Sequence, residues 1–176
     1  SIFTGSVPAI HGIAGNDFMI DGKMAYCCSD PTVKGVGTDS EAGMMSPRKM
    51  LTTTIGDELK IATDFKAKVV GVSIKDRAAI LPAGHSADGA YWIDNATGRF
   101  ITSTYYMEKL PEWVVAFNNK YGGKDERQVS YSTYGNLITE EMAKAAVEGE
   151  ALGADEVTDM LTVSFSCTDK VGHEVA

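Results

Sequence analysis

The stretch AKVVGVSI, residues 67–74, decides the fold, because it is rich in β-branched residues and almost continuously apolar. A short run of this kind is expected of a strand that is buried on both faces of a parallel sheet. The stretch MLTVSF, residues 160–165, has the same character and follows a helical segment. Buried strands that alternate with helices are typical of α/β proteins. The sequence therefore predicts an α/β fold.

Three helices are predicted from apolar spacing and from their N-cap residues. The first begins at Ser46-Pro47, because Ser suits the N-cap and Pro suits the first helical position, and it extends to about Asp64. The other two cover residues 112–120 and 140–152, the last with Thr139 as its N-cap.

A β-hairpin is predicted beside these elements, as an antiparallel addition to the sheet. Residues 89–93 and 99–103 flank the turn residues DNATG, which is the usual pattern of two strands joined by a five-residue loop. Residues 120–127 are polar and contain a Gly-Gly pair, so they are predicted to form a flexible connection that does not separate two cores. Residues 1–176 are therefore expected to form a single domain.

The length and charge of the chain limit the partners that it can have. Its 176 residues suffice for one core, and 44% of them are apolar. There are 16 basic and 24 acidic residues, and the net charge of −8 opposes binding to the phosphate backbone of nucleic acids. No stretch approaches the roughly 20 apolar residues that span a bilayer. We therefore expect neither a nucleic acid nor a membrane as a partner, and the oligomeric state stays open.

Lys75 and Arg77 directly follow the first buried strand and are candidates for binding a phosphoryl group. Ligands of open α/β sheets bind outside the carboxyl ends of the strands. Lysine offers a compact point charge there, and arginine offers a bidentate fork of N–H donors. The alternative is an ordinary surface ion pair between either residue and Asp76 or another neighbouring acid.

Asp169 and His173 follow the second buried strand and are candidates for binding a metal ion. Their spacing of four residues allows both side chains to project to one side of a helix. A carboxylate and an imidazole are suitable ligands of Zn²⁺, but a catalytic zinc ion normally has three protein ligands, so this pair alone does not complete a site. The alternative is an aspartate that caps a helix beside a surface histidine.

Asn16 lies in a loop that contains Gly12 and Gly15, and this loop could present the Asn16 amide to a ligand. The alternative is that Asn16 only forms a turn, which is the more common role of an isolated asparagine in a glycine-containing loop.

Four segments together carry a resemblance to one family. They are SIFTGSVPAIHGIAGND (1–17), GVSIKDRAAILPAGH (71–85), GAYW (89–92) and SFSCTDKVGH (164–173). In these segments the chain resembles the bacterial zinc-dependent alkaline phosphatases, in the monoesterase group close to the nucleotide pyrophosphatase/phosphodiesterase enzymes. The resemblance implies a partial alkaline-phosphatase-like sheet with flanking helices.

The resemblance also implies a role for each candidate residue. Asp169 and His173 match the pair that holds one of the two Zn²⁺ ions of a complete enzyme. Lys75 and Arg77 match residues that contact phosphoryl oxygens and favour monoesters over diesters. Asn16 matches an asparagine that hydrogen-bonds another of those oxygens. The implied substrate is a small-molecule phosphate monoester, and the implied location is periplasmic or secreted.

Some parts of the family's site are not expected in this chain. The family's nucleophile, a Thr or Ser that forms a covalent phospho-enzyme, lies upstream of the segment that begins here at Ser1, so Thr4 is not expected to be the nucleophile. The remaining metal ligands are also expected outside the chain, and residues 120–127 are shorter than the family's connection. We therefore expect a fragment of a longer enzyme that is inactive by itself.

Two other functions stay open from the sequence. One is a phosphodiesterase or nucleotide pyrophosphatase of the same superfamily, although the clustered cations of Lys75 and Arg77 favour monoesters. The other is a non-catalytic domain that binds a partner through the aromatic residues of the 89–106 hairpin. The alternative for these aromatic residues is simple packing on the core; they are Tyr91, Trp92, Tyr105 and Tyr106.

Overall fold

The computed structural model describes residues 1–175, and these residues form seven α-helices and seven strands. In chain order these are α1 (Pro8–His11), β1 (Asp17–Ile20), β2 (Lys23–Tyr26), β3 (Gly35–Val36), α2 (Ile55–Ala62), β4 (Val69–Ser73), α3 (Asp76–Ala83), β5 (Gly89–Asp94), β6 (Arg99–Ser103), α4 (Glu112–Tyr121), α5 (Glu126–Ser130), α6 (Thr133–Gly149), β7 (Met160–Ser164) and α7 (Cys167–Val175). A short 3₁₀ helix covers Glu41–Gly43.

Five of the strands form one mixed sheet in the order β3-β6-β5-β4-β7. Strand β4 is at the centre of the parallel part, where it pairs with both β5 and β7. Strand β6 pairs antiparallel with β5 and with β3. Strands β1 and β2 form a separate antiparallel hairpin. The predicted α/β fold is therefore confirmed, and so is the antiparallel hairpin predicted at residues 89–103, which is formed by β5 and β6.

The core lies on both faces of this sheet. Helices α4 and α6 cover one face, where Val72 of β4 and Phe100 of β6 pack against apolar residues such as Met142. Helix α3 covers the other face, where Ile80 packs with Trp92 of β5. Every residue of β4 and β5 is buried, as expected for strands that are covered on both sides.

Gly71 allows α3 to lie directly on β4. A Cβ atom added at Gly71 would be 3.0 Å from Cβ of Ala83 and closer still to the carbonyl oxygen of Ala79. Both neighbours belong to α3, and one of them is backbone that cannot rotate away. The glycine therefore determines how closely the helix that follows Lys75 approaches the sheet.

The prediction that a helix begins at Ser46-Pro47 is wrong. The chain makes only a turn at Pro47, and α2 begins at Ile55, after Thr54. Thr54 and Asp57 form a capping box, in which each side chain accepts a hydrogen bond from the backbone N–H of the other residue. The Ser46 hydroxyl is used elsewhere, because it donates to the Asp30 carboxylate at 2.6 Å.

The prediction for the start of the last long helix is also wrong. Helix α6 begins at Thr133, with Ser132 as its N-cap, and it ends at Gly149. Thr139 lies inside this helix, where its buried hydroxyl donates to the carbonyl oxygen of Gly135 at 2.7 Å. A serine or threonine can donate to the preceding turn of its own helix, so its presence does not require a helix start.

The segment predicted to be a flexible connection is occupied by helix at both of its ends. Helix α4 ends at Tyr121 and α5 begins at Glu126, so only residues 122–125 lie between helices. Gly123 donates its backbone N–H to the carbonyl oxygen of Thr97 at 3.0 Å. Whether this short loop is flexible stays a prediction.

Candidate active site at the carboxyl edge of the sheet

Lys75 and Arg77 are positioned by the transition from β4 to α3. Only Ile74 and Lys75 separate the end of the strand from the first residue of the helix, and Lys75 is the N-cap residue with extended backbone. Ser73 secures this turn, because its hydroxyl accepts from the Lys75 N–H at 3.2 Å and donates to the carbonyl oxygen of Ser164 at 3.0 Å. The turn that carries Lys75 and leads into the first turn of α3 with Arg77 is therefore tied to the neighbouring strand β7.

Both cations line a cleft of about 440 Å³ at this edge of the sheet. The apolar residues that line the cleft include Trp92 and Met45. Most of the polar side chains in the cleft are able to donate hydrogen bonds; those that line it are Tyr26, Lys75, Arg77, Asn95 and Lys170, together with the carboxylates of Asp76 and Asp94. The cleft therefore suits a ligand that has an anionic group near Lys75 and Arg77.

Lys75 joins the two predicted parts of the site. Its Nζ atom lies 2.6 Å from Oδ2 of Asp169, and the Lys75 side chain is only 14% exposed. The hydrogen bond and the charge of Lys75 lower the pKa of the Asp169 carboxyl below its ordinary value. The partner of Lys75 is therefore Asp169 on α7, rather than the adjacent Asp76, and the structure brings residues 94 positions apart into contact.

His173 lies one helical turn after Asp169, on the same side of α7. Its Nε2 atom is 3.5 Å from Oδ1 of Asp169, and both side chains are more than half exposed. Both residues belong to α7, which begins at Cys167. The pair can present one oxygen and one nitrogen ligand to a common point.

These two side chains do not complete a metal site. Among residues 1–175, no group of three or more His, Cys, Asp or Glu side chains is arranged to hold a metal ion. One carboxylate oxygen of Asp169 is also engaged by Lys75. The donors present among these residues fit Zn²⁺ in kind but are too few to hold a catalytic ion by themselves.

Arg77 contacts a residue that the sequence did not indicate. Its guanidinium donates to the hydroxyl oxygen of Tyr26 at 3.2 Å, and that hydroxyl donates to Oδ1 of Asp76 at 2.8 Å. Tyr26 is the last residue of β2 and lies about 50 positions before α3. Neither spacing nor composition marks this tyrosine, because the contact depends on how the β1–β2 hairpin packs on α3.

Asn16 lies on the same hairpin, immediately before β1, and is exposed. Its carbonyl oxygen accepts from the N–H of Cys27 at 2.7 Å, and Asp17 pairs with Tyr26 across the hairpin. Within the described residues, no hydrogen bond joins the Asn16 side chain to Lys75 or Arg77. The structure therefore places Asn16 on the element that contacts Arg77, and its proposed role in binding stays a prediction.

Two of the four aromatic residues of the 89–106 hairpin, Tyr91 and Trp92, are not available for a contact surface. Tyr91 and Trp92 are each 1% exposed and pack in the cores on opposite faces of the sheet. Tyr105 and Tyr106 are partly buried and contact each other edge to face. The hypothesis of a partner-binding surface on this hairpin is therefore wrong for its two central aromatic residues, because they serve the core.

Separate comparisons with known proteins agree on the family of this chain. The whole chain, residues 1–176, matches the type I phosphodiesterase/nucleotide pyrophosphatase family. It is 44% identical to alkaline phosphatase PafA of Elizabethkingia meningoseptica, with 98% of this chain and 41% of that protein covered. It is 42% identical to alkaline phosphatase PhoV of Synechococcus elongatus, with 99% of this chain and 41% of that protein covered.

Solved structures of PafA show the same fold. The wild-type structure superimposes with a TM-score of 0.93, covering 98% of this chain and 43% of that chain at 44% identity. A second structure, also with a TM-score of 0.93, is of a PafA variant in which a threonine is changed to serine and an asparagine, a lysine and an arginine are changed to alanine. The chain thus spans about two fifths of the length of these relatives.

The matched region is longer in the relatives than in this chain. The alignment with PafA extends over 225 positions, although the chain has only 176 residues. The relatives therefore contain residues within the matched region that this chain lacks. The shared fold, the match over residues 1–176 and the high identity agree, and the chain belongs to the type I phosphodiesterase/nucleotide pyrophosphatase family.

Proposed function

We propose that the protein to which this chain belongs is a metal-dependent phosphatase that hydrolyses small-molecule phosphate monoesters. The observation that supports this most is the placement of Lys75 and Arg77 together at the carboxyl edge of the sheet, with Asp169 beside Lys75. The names of the relatives as alkaline phosphatases agree with this proposal.

The two cations have complementary ways to bind a phosphoryl group. A phosphoryl group in transfer spreads negative charge over its non-bridging oxygens, and fixed cations aimed at these oxygens stabilise that charge. Lys75 supplies a single strong charge from a side chain that is largely shielded from water, where its attraction is less screened. Arg77 supplies a planar set of N–H donors that can contact two oxygens at once.

The same pair favours monoesters over diesters. A monoester carries one more negative charge than a diester, so it gains more from two adjacent cations. Asn16 is proposed to donate from its amide to another of the non-bridging oxygens. The PafA variant described above changes an asparagine, a lysine and an arginine to alanine, and its lysine and arginine are two positions apart, as Lys75 and Arg77 are. This agreement in residue type and spacing supports the assignment of Asn16, Lys75 and Arg77 to the phosphate site.

We further propose zinc as the metal, with Asp169 and His173 as two of its ligands. A carboxylate oxygen and an imidazole nitrogen suit Zn²⁺, and a pair of such ions would stabilise the attacking and leaving oxygens of a displacement. The charge of Asp169 is also compensated by Lys75, whose Nζ atom lies 2.6 Å from Oδ2 of Asp169. We also propose a periplasmic or secreted location, in line with the resemblance.

The test compares two substrates of the complete parent protein supplied with zinc. We expect kcat/KM for an aryl phosphate monoester to exceed that for the corresponding methyl aryl diester by several orders of magnitude, and chelation to remove the activity. A preference for the diester would contradict the proposal and indicate a phosphodiesterase or nucleotide pyrophosphatase. Absence of both activities would indicate a non-catalytic protein.

A further inference from the structure

Tyr26 connects the two elements that carry the proposed phosphate-binding residues. Its hydroxyl accepts a hydrogen bond from Arg77 at 3.2 Å and donates one to Asp76 at 2.8 Å. Asp76 and Arg77 both lie in the first turn of α3, whereas Tyr26 ends β2. The three side chains therefore form a chain of hydrogen bonds from the hairpin to the helix.

This connection has the correct geometry to orient the guanidinium. Arg77 has a long side chain with several rotatable bonds, and it is only half-buried, so the helix backbone alone does not fix where its N–H groups point. The Tyr26 hydroxyl fixes one of these groups, Nη1, by accepting from it. Asp76 in turn occupies the Tyr26 proton, which leaves the oxygen of Tyr26 free to act as the acceptor.

The electrostatic environment agrees with this arrangement. Burial lowers the pKa of Arg77, but the hydrogen bond to Tyr26 and the charge of Asp76 more than compensate, so the net shift is upward. Burial and the nearby Asp76 carboxylate raise the pKa of Tyr26 well above its ordinary value. Arg77 therefore stays a cation and Tyr26 stays a neutral hydroxyl at neutral pH.

The same tyrosine also fixes the loop that carries Asn16. Asp17, the residue after Asn16, is paired with Tyr26 across the hairpin, and the Asn16 carbonyl accepts from Cys27. Movement of Tyr26 relative to α3 would therefore move the Asn16 backbone as well. One hydroxyl can thus set the distance between the amide on the hairpin and the guanidinium on the helix.

We propose that Tyr26 and Asp76 are positioning residues, which orient the Arg77 guanidinium so that it contacts the phosphoryl group. This inference rests on the proposed function, because it assigns these residues to the same phosphate site. It differs from a merely structural role of Tyr26, in which the hydroxyl only packs the hairpin and its loss would act independently of Arg77.

A double-mutant cycle on the complete parent protein separates these roles. Hydrogen bonds that involve charged groups contribute enough that Tyr26→Phe is expected to lower kcat/KM for the monoester by about tenfold. Arg77→Ala alone is expected to lower kcat/KM by more than Tyr26→Phe does. If Tyr26 acts through Arg77, adding Tyr26→Phe to Arg77→Ala should cause no more than about a twofold additional loss. Multiplicative losses in the double variant would overturn the inference.

Asp76 provides a second arm of the test. Asp76→Asn keeps an oxygen that can accept from Tyr26, so it is expected to retain more activity than Asp76→Ala, and both effects should disappear in the Arg77→Ala background. Tyr106→Phe is the matched control, because it also removes a buried tyrosine hydroxyl, but one without a hydrogen-bond partner among the described residues. We expect the control to keep the wild-type kcat/KM.

Calorimetric binding of inorganic phosphate to the zinc-loaded protein gives a readout other than turnover. Tyr26→Phe should weaken phosphate binding in the wild-type background and leave it unchanged when Arg77 is alanine. If phosphate binds in this pattern but no monoester is hydrolysed, the proposed function fails and the positioning role stands. If monoesters are hydrolysed and the cycle is multiplicative, the positioning role fails alone. Absence of both phosphate binding and turnover overturns both.

Discussion

Gly71→Ala perturbs the position of α3 without changing any residue of the proposed site. The added methyl group would lie 3.0 Å from Cβ of Ala83 and closer to the carbonyl oxygen of Ala79. Carbon atoms normally pack at about 3.5–4.0 Å, so α3 must move away from β4 by roughly 1 Å. Overpacking of this kind costs about 1–3 kcal/mol of unfolding free energy. We expect a loss near the upper end, because the nearest atom is backbone.

The same displacement of α3 should also lower the catalytic rate. Lys75 and Arg77 are at the amino end of α3, and a misplacement of about 1 Å can lower a rate by about 100-fold. Urea unfolding of the variant and kcat/KM of the complete protein for an aryl phosphate measure the two effects. Val163→Ile is the control, since it adds a methyl group on the exposed side of the neighbouring strand β7. Wild-type stability together with wild-type kcat/KM in Gly71→Ala would refute this reasoning.

Two further predictions concern the cap of α2 and the metal ligands. Asp57→Ala should lower the unfolding free energy by about 3 kcal/mol, since the buried carboxylate accepts from the N–H groups of Thr54 and Ser86, whereas Asp39→Ala at an exposed position should change it little in the same urea titration. Burial opposes the charge of Asp57, but these hydrogen bonds hold its pKa below the ordinary 3.8. The stabilisation by Asp57 is therefore complete above that pH and is lost as the pH falls below it. Asp57→Asn should make the unfolding free energy depend less on pH in the acid range, and an unchanged dependence would count against the cap. Calorimetric titration of residues 1–176 with zinc should give weak binding that Asp169→Ala abolishes, and unchanged heat in that variant would place the zinc elsewhere.

The sequence predicts the sheet better than it predicts the helices. Strands β4 and β7 are short apolar runs that fit no other kind of secondary structure as well. The turn residues 94–98 mark the hairpin clearly. The helix starts are harder, because several Ser and Thr residues could act as N-caps. Thr54, and not Ser46, is the N-cap residue, because Thr54 forms a reciprocal pair of hydrogen bonds with Asp57, whereas the Ser46 hydroxyl donates to Asp30. Such a choice depends on contacts distant in sequence.

The candidate site divides in the same way. Lys75 and Arg77 could be found from the sequence, because they directly follow a buried strand of an α/β sheet. The ion pair between Lys75 and Asp169 follows from the parallel pairing of β4 and β7, which brings the ends of both strands to one edge. Tyr26 could not be found, because its contact depends on how a separate hairpin packs against α3. Residues that position others through tertiary packing leave no pattern in the sequence.

The central claim is that the paired cations of the β4–α3 turn recognise the additional charge of a monoester. The most direct measurement is the ratio of kcat/KM for an aryl phosphate monoester to that for its methyl diester, in the complete protein and in its Lys75→Ala variant, with the exposed Lys66→Ala as control. We expect Lys75→Ala to lower this ratio by about tenfold or more, because the monoester loses the larger attraction, while Lys66→Ala leaves it unchanged. An unchanged ratio in Lys75→Ala would contradict the claim.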